Sequence, residues 1–398
     1  MSSTTPFTKT ELLPQEEMLE IKKSKDELLI GIPCETSYQE KRVCLTPDAV
    51  STLAAHGHRV LIESNAGVNA NFSDQDYSEA GGEITNDTAK VFACNMVIKI
   101  APPTFNELSM MQPESVLFSA LQLKTRNQEY FKQLTKKKIT GLAFEFIKDH
   151  YNSYPIVKAL SEIAGKSTVL IASELLTNLT DGNGLLFGNV SGVPPTEVVI
   201  LGAGTVGEYA ARSSLGLGAQ VKIFDSSLTR LRNLQRSLGH EVYTSTFQPS
   251  ILKKCIEGAD VLIGAVKGKN RSPVIVTEEM VQSMKTNAVI IDASIDMGGC
   301  IETSEITTHD YPTLKKYDVF HYGVPNIPSR YARTSSISMS SIFTPYLVHI
   351  GNKGGLENAI RSDTGLRNGL YTYHGVLTSK SVGSWFNISY RDPNLLIF

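Results

Sequence analysis

Short apolar runs alternate with helix-patterned stretches along almost the whole chain. In the first half these runs are LLIGIP (28–33), RVLIES (59–64), MVIKI (96–100), VLFSA (116–120) and ITGLA (139–143). A helix opens at Thr46-Pro47-Asp48, and a polar helix lies near 75–80. Continuous apolar segments of strand length separated by helices mark parallel β-α-β units, whose strands are covered on both faces. The first 150 residues are therefore α/β.

A long helical stretch follows, YPIVKALSEIAGKSTVLIASELLTN (154–178), and then the Gly/Pro-rich loop GLLFGNVSGVPP (184–195), where the composition breaks. The second series of strands is EVVIL (197–201), AQVKIF (219–224), ADVLIGAV (259–266), AVIIDAS (288–294) and DVFHYG (318–323), with helices predicted at about 205–216, 229–237 and 277–285. After residue 335, a helical pattern near 338–351 and a mostly polar tail offer no strands for a third domain. The predicted architecture is α/β, two Rossmann-like doubly wound parallel-sheet domains with the active site in the cleft between them. One domain takes residues 28–155 plus 335–398 and is discontinuous; the other takes 156–334. Residues 1–27 are polar and charged and read as an N-terminal extension.

Composition narrows the function classes. The 398 residues are 41% hydrophobic, enough to bury a core in each of two lobes. Thirty-eight Lys plus Arg against 40 Asp plus Glu leave a formal charge of -2, so no basic excess points to nucleic acid or an anionic membrane. The amino terminus lacks an apolar export segment, and no run approaches the roughly 18 apolar residues of a membrane span. Five Cys, at 34, 44, 94, 255 and 300, show no close pair, which predicts a reducing cytoplasm and no metal site.

The strongest motif is EVVILGAGTVGEYAARSSLGLGAQVKIFD. Gly202-Ala203-Gly204-Thr205-Val206-Gly207 follows an apolar strand and opens a helix, and the next strand ends in Asp225, 18 residues past Gly207. Gly202 makes the tight turn, Gly204 lets a pyrophosphate approach the backbone, and Gly207 allows close helix packing; the helix N-terminus with Thr205 and Val206 faces the phosphates. Asp225 would accept hydrogen bonds from the adenosine ribose hydroxyls and disfavours a 2′-phosphate, because two anions would share one pocket. Arg230 and Arg232 lie downstream without directly following the strand, so NAD is expected rather than NADP. Ligands sit beyond the carboxyl ends of such strands, which puts Val266 in Ala265-Val266-Lys267-Gly268, and Asp292 and Asp296, at the nicotinamide rim. Of the two acids Asp296, beside Gly298-Gly299, is the candidate functional carboxylate. Lys267 and Lys269 could reach a phosphate or stay solvated.

From about residue 29 to its end the chain resembles the alanine dehydrogenase and transhydrogenase NAD-domain superfamily, and the alanine dehydrogenase branch most closely. The segments that carry the resemblance are GIPCETSYQEKRVCLTP (31–47), ALSEIAG (159–165), GVPPTEVVILGAGTVG (192–207), IGAVKGKNRSPVIVTEEMVQSMK (263–285), DASIDMGGCIETSEITTH (292–309) and HYGVPNIPSRYARTSS (321–336). It implies a two-domain subunit assembled as a homo-oligomer, commonly a hexamer, that oxidises L-alanine with NAD and water to pyruvate, ammonium and NADH. It further implies that Arg42 grips the carboxylate of a small amino acid or 2-oxo acid, a task suited to a planar fork. The alternative for Arg42 is a surface pair with Glu40. Ser161 corresponds to a cofactor-contacting serine, Asp296 to the active-site aspartate, and Asn326 with Ile327 to the loop lining the nicotinamide.

Two departures stand out. The family strand ends in KVKEP, whose second lysine polarises the substrate carbonyl; MVIKIAPP has Lys99 at the first lysine and Ala101 at the second. The next strand runs in the family into a general acid-base histidine, where VLFSALQLK has Gln122, an amide that cannot shuttle protons. Residues two apart share a strand face, so Lys99 or Lys124 is expected to supply the missing charge beside Asp296. His309 and His321 are expected to order loops. Competing functions are an opine- or saccharopine-type reaction on another 2-oxo acid, and a non-catalytic NAD(H)-binding protein like the transhydrogenase subunit.

Overall fold

A computed structural model of the chain describes residues 27–268 and 271–397. The expected N-terminal extension, apart from Glu27, and Lys269 lie outside the described residues. Two sheets organise the rest. The first joins β1 (Leu29–Ile32), β2 (Arg59–Glu63), β3 (Glu83–Thr85), β4 (Met96–Ile98), β5 (Val116–Ser119) and β6 (Thr140–Ala143) in parallel, in the order β6-β5-β4-β1-β2-β3. The second joins β7 (Glu197–Leu201), β8 (Gln220–Phe224), β9 (Tyr243–Ser245), β10 (Val261–Gly264) and β11 (Val289–Asp292), then the antiparallel β12 (Thr313–Lys316) outside the parallel β13 (Val319–Tyr322). Their order is β12-β13-β11-β10-β7-β8-β9. The central strands are buried along their length, as the unbroken apolar runs require.

The tail departs from expectation. Leu370–Tyr373 (β14) and Val376–Leu377 (β15) are strands, and β14 runs antiparallel to β6 at the edge of the first sheet. The two residues between them, His374 and Gly375, both have positive φ, 45° and 84°, as a tight hairpin demands. Two strands this short carry too little periodicity to be read in advance.

Two long helices tie the sheets together. Pro155–Leu175 sets Ile156 in the core of the first sheet and Val169 and Ala172 in that of the second. It lies against the helix Thr205–Gly216 so closely that a Cβ at Gly165 would stand 2.4 Å from the Val206 carbonyl oxygen. Ala332–Asn352 returns the chain to the first sheet, where the Phe343 ring centre lies 5.2 Å from Phe118 and 5.3 Å from Phe144. Among the described residues, no helix is long and apolar enough to cross a membrane.

Candidate functional site

In the second sheet the chain order reverses between β7 and β10, and the crevice beyond their carboxyl ends is a topological switch point. Gly202 leaves β7 with φ 105°, and Gly204 caps the helix Thr205–Gly216 without any side-chain cap bond, so Thr205 and Val206 begin a turn whose N–H groups face the crevice. A Cβ at Gly204 would meet nothing within 4 Å, whereas a Cβ at Gly207 would stand 1.9 Å from the Gly202 carbonyl oxygen. The first glycine leaves space for a ligand; the second lets the helix seat on the turn. Gly207→Ala is accordingly expected to lower stability by about 1–3 kcal/mol through overpacking, read from the urea midpoint, and an unchanged midpoint would contradict this packing.

Asp225 ends β8 and is buried. Its Oδ2 accepts the Ala203 N–H at 2.8 Å and its Oδ1 the Ser227 N–H at 2.7 Å, which holds the glycine turn against the next loop. The helix Leu228–Leu238 also brings Arg230 Nη1 to 3.3 Å from Oδ2. Val266, just past β10, and Ser161, one turn before Gly165 on the same helix face, are both half-buried.

Loops from the two sheets meet across a cleft. After β1, residues 37–42 reach the second sheet: Ser329 donates from Oγ to the Gln39 carbonyl at 2.7 Å and accepts the Lys41 N–H, while Gln39 Oε1 accepts the His309 N–H. Arg42 pairs with Glu40, as one reading of the sequence allowed, but in the interior rather than at the surface. Its Nε and Nη2 donate to the two Glu40 oxygens at 2.7 and 2.6 Å, with both side chains almost fully buried. Burial opposes both charges, yet Arg42 holds the Glu40 carboxyl below its usual range, and Glu40 in turn raises Arg42. Asn326, in a left-handed conformation at φ 54°, donates from Nδ2 to Glu40 Oε2 at 2.9 Å and from its N–H to Asp296 Oδ2 at 3.4 Å. Four of the residues singled out in the sequence or beside them, Arg42, Glu40, Asn326 and Asp296, thus form one connected polar chain from sheet to sheet.

Asp296 sits on the 3-10 turn Ile295–Met297 after β11 and opens to the cleft. The protein mass around it raises its carboxyl above the ordinary aspartate value, against the Asn326 N–H and the charges of Lys124 and Arg42. Asp292 is different. It is fully buried, accepts the N–H groups of Ser294 and Cys300 at 3.0 Å each, and so shapes the loop that carries Asp296.

The strand-alternation argument for the lysines fails, because β4 stops at Ile98 and β5 at Ser119. Lys99 points inward with no exposed side-chain surface, its Nζ 2.8 Å from Glu35 Oε2 and 3.7 Å from Glu107 Oε1. Burial pulls Lys99 down, and the two carboxylates outweigh it and raise it. The Ala101 N–H donates to the same Glu35. Gln122 is exposed in a left-handed conformation, φ 45°, and starts the 3-10 turn Leu123–Thr125. That turn throws Lys124 across the cleft, where its Nζ lies 3.4 Å from the Asp296 carbonyl oxygen. His321 bonds Thr303 Oγ1 and the Val319 carbonyl inside the second lobe.

The residue-by-residue match is reflected in the whole chain. Residues 31–164 match the description "Alanine dehydrogenase/PNT, N-terminal domain", and residues 168–380 match "Alanine dehydrogenase/PNT, C-terminal domain". The chain belongs to the alanine dehydrogenase/PNT family. Among its relatives in that family, "Alanine dehydrogenase" of Staphylococcus saprophyticus is 38% identical over 367 residues, covering 92% of this chain and 98% of the relative. "Alanine dehydrogenase 2" of Staphylococcus aureus is 40% identical over 366 residues, 91% of this chain and 98% of that one. A solved L-alanine dehydrogenase superposes with a TM-score of 0.86 at 35% identity, covering 91% of this chain and all of that one. A transhydrogenase from Sinorhizobium meliloti, 22% identical with a TM-score of 0.76 over 89% of this chain, shares the fold.

Three residues of the site escaped the sequence reading. Glu35 and Glu107 neutralise Lys99, and the only signal was the need of any buried lysine for acid partners. Glu145 accepts the Leu121 N–H at 2.8 Å and fixes the start of the Gln122 turn, a contact between segments 24 residues apart that no local pattern announces.

Proposed function

We propose that this chain is an NAD(H)-linked oxidoreductase of the L-alanine dehydrogenase type, interconverting L-alanine with pyruvate and ammonium. The observation that carries this reading is the hydrogen-bonded chain Arg42–Glu40–Asn326–Asp296, which runs from the buried Arg42–Glu40 pair across to the exposed Asp296 next to an open glycine cradle. In this reading Glu40 aims the Arg42 fork so that its remaining N–H groups take the substrate carboxylate. Asp296 handles the substrate protons. The cradle fits a dinucleotide: Gly204 leaves room for a pyrophosphate, the uncapped helix start offers N–H donors, and Asp225 offers an acceptor for the adenosine ribose. Bound NAD(H) supplies the hydride acceptor or donor. The lobes divide near residues 155 and 334, as the apolar pattern suggests; the spread cysteines favour a reducing cytoplasm, and the family resemblance a homo-oligomer.

The test is NADH oxidation by pyruvate and ammonium, with Asp296→Asn as the control against contaminating enzyme. The wild-type chain is expected to turn over, and the variant to lose about 10²-fold in kcat. Because the Asp296 carboxyl is raised, the acid limb of the wild-type profile should stand above the ordinary aspartate value of about 4. The folded state then holds that proton more tightly than the unfolded one, so this group's contribution to stability falls as pH rises through the same window. Asp296→Asn should therefore melt no lower than wild type at pH 7. Absence of wild-type turnover, in protein that binds NADH, would refute the reading. Ala101 and Gln122 favour a second reading in which another 2-oxo acid or a larger amine is the substrate, and a substrate panel separates the two.

A further inference from the structure

We infer that Lys124 is the group that hydrogen-bonds and protonates the substrate carbonyl oxygen, acting across the cleft with Asp296. This rests on the dehydrogenase reading and fills the gap that Ala101 and Gln122 leave in it. The geometry discriminates among the cations. Lys99 is sealed inside with Glu35 and Glu107, and Arg42 has two of its nitrogens committed to Glu40. Lys124 is exposed, stands on the turn that Gln122 begins, and crosses from the first lobe to within 3.4 Å of a carbonyl oxygen on the turn of Asp296. A main-chain carbonyl at that distance is a weak partner that a substrate carbonyl can replace. The chain leaves β5 at Ser119, and the left-handed Gln122 starts the turn that carries Lys124. Among the described residues, the charged groups around the site are Lys124 from the first lobe, Asp296 from the second, the Arg42–Glu40 pair between them, and Arg271, whose guanidinium lies against Gly298 on the Asp296 loop.

The step balances in the direction of amination. Ammonium gives a proton to the Asp296 carboxylate, and the ammonia formed adds to C2 of the 2-oxo acid. As the N–C2 bond forms, the carbonyl π pair moves to oxygen, which takes a proton from the Lys124 ammonium. The Lys124 amine then removes a proton from the added nitrogen, leaving a neutral carbinolamine. Asp296 returns its proton to the hydroxyl, which leaves as water with the C2–O bonding pair and gives the iminium that hydride reduces. Both side chains end as they began.

Lys124→Met and Lys124→Arg test this, because arginine keeps the charge but cannot release a proton. Three quantities are measured: NADH affinity by fluorescence titration, oxamate affinity for the NADH-loaded protein, and kcat for pyruvate with ammonium against pH. NADH affinity should be the same in all three proteins. Lys124→Met should weaken oxamate roughly tenfold through loss of a charge-assisted bond. It should also lower kcat by about 10²-fold. Lys124→Arg should hold oxamate within about threefold of wild type, yet have a kcat as low as the methionine variant. Wild-type kcat in either variant would overturn the proposal; in Lys124→Arg it would reduce the residue to a charged strap between lobes. If the wild-type chain turns over no pyruvate, the dehydrogenase reading fails separately. The oxamate measurement then decides alone: equal binding by wild type and Lys124→Met overturns the substrate contact, and tenfold weaker binding upholds it.

Discussion

Arg42→Ala is expected to lower kcat/KM for the 2-oxo acid by about 10³-fold, since truncating one partner of a buried, hydrogen-bonded charge pair costs about 2–5 kcal/mol. Two losses coincide. The substrate carboxylate loses its fork, and Glu40 keeps a buried carboxylate whose partner was 2.6 Å away. Only neutral donors then face Glu40, namely Asn326 Nδ2, the main-chain N–H of residue 42 and Ser329 Oγ, so the loop that positions Asp296 is also disturbed. The pH dependence should change sign. In the wild-type chain the lowered Glu40 carboxyl contributes stability above the ordinary glutamate value, lost as pH falls through the lower folded value. Without Arg42 burial dominates and raises Glu40, so stability should instead fall as pH rises above that ordinary value. Kinetics and thermal melts at pH 5 and 8 check both statements. A kcat/KM within tenfold of wild type would sink the assignment of Arg42. Arg42→Lys should rescue little, because one ammonium cannot serve both Glu40 oxygens and a substrate carboxylate in fixed geometry.

Lys99→Met should have the largest effect on stability, a loss of about 3–5 kcal/mol, because breaking a buried ion cluster leaves uncompensated charge. Glu35 and Glu107 would face each other in the interior without their shared cation. Glu35 would retain the N–H groups of Ile100 and Ala101, and Glu107 the Thr36 hydroxyl at 3.0 Å, which limits the loss but does not neutralise two carboxylates. Burial already raises Glu35, and removing the lysine raises it further. A raised carboxyl contributes its stability at low pH and loses it as pH rises, so the deficit should grow from pH 5 to pH 8. Urea unfolding at the two pH values measures this. A deficit below about 1 kcal/mol would show that the cluster is not the anchor its burial indicates. The folded fraction should keep its kcat, since Lys99 has no surface in the cleft.

Sequence alone determined a great deal here, and the reason is local physics. The strand EVVIL, the helix from Thr205 and the glycines between them are specified by neighbours in the chain: unbroken apolar runs for buried strands, and glycine where φ is positive or a helix presses on a turn. The helix at Pro47 follows from proline at its first position. Asp225 and Asp296 were identifiable because strand ends in such sheets face the ligand side. The tertiary structure decided what depends on partners distant in sequence. It made Arg42 an interior residue by packing residues 37–42 against 326–329, and it drew Lys99 inward through Glu35, 64 residues earlier. It ended β5 at Ser119 and turned Gln122 left-handed, which carried Lys124 to the opposite wall although strand alternation had suggested a different route. Periodicity reports which face a side chain takes while an element lasts; where the element stops, and what waits across a cleft, is set by contacts that no local pattern encodes.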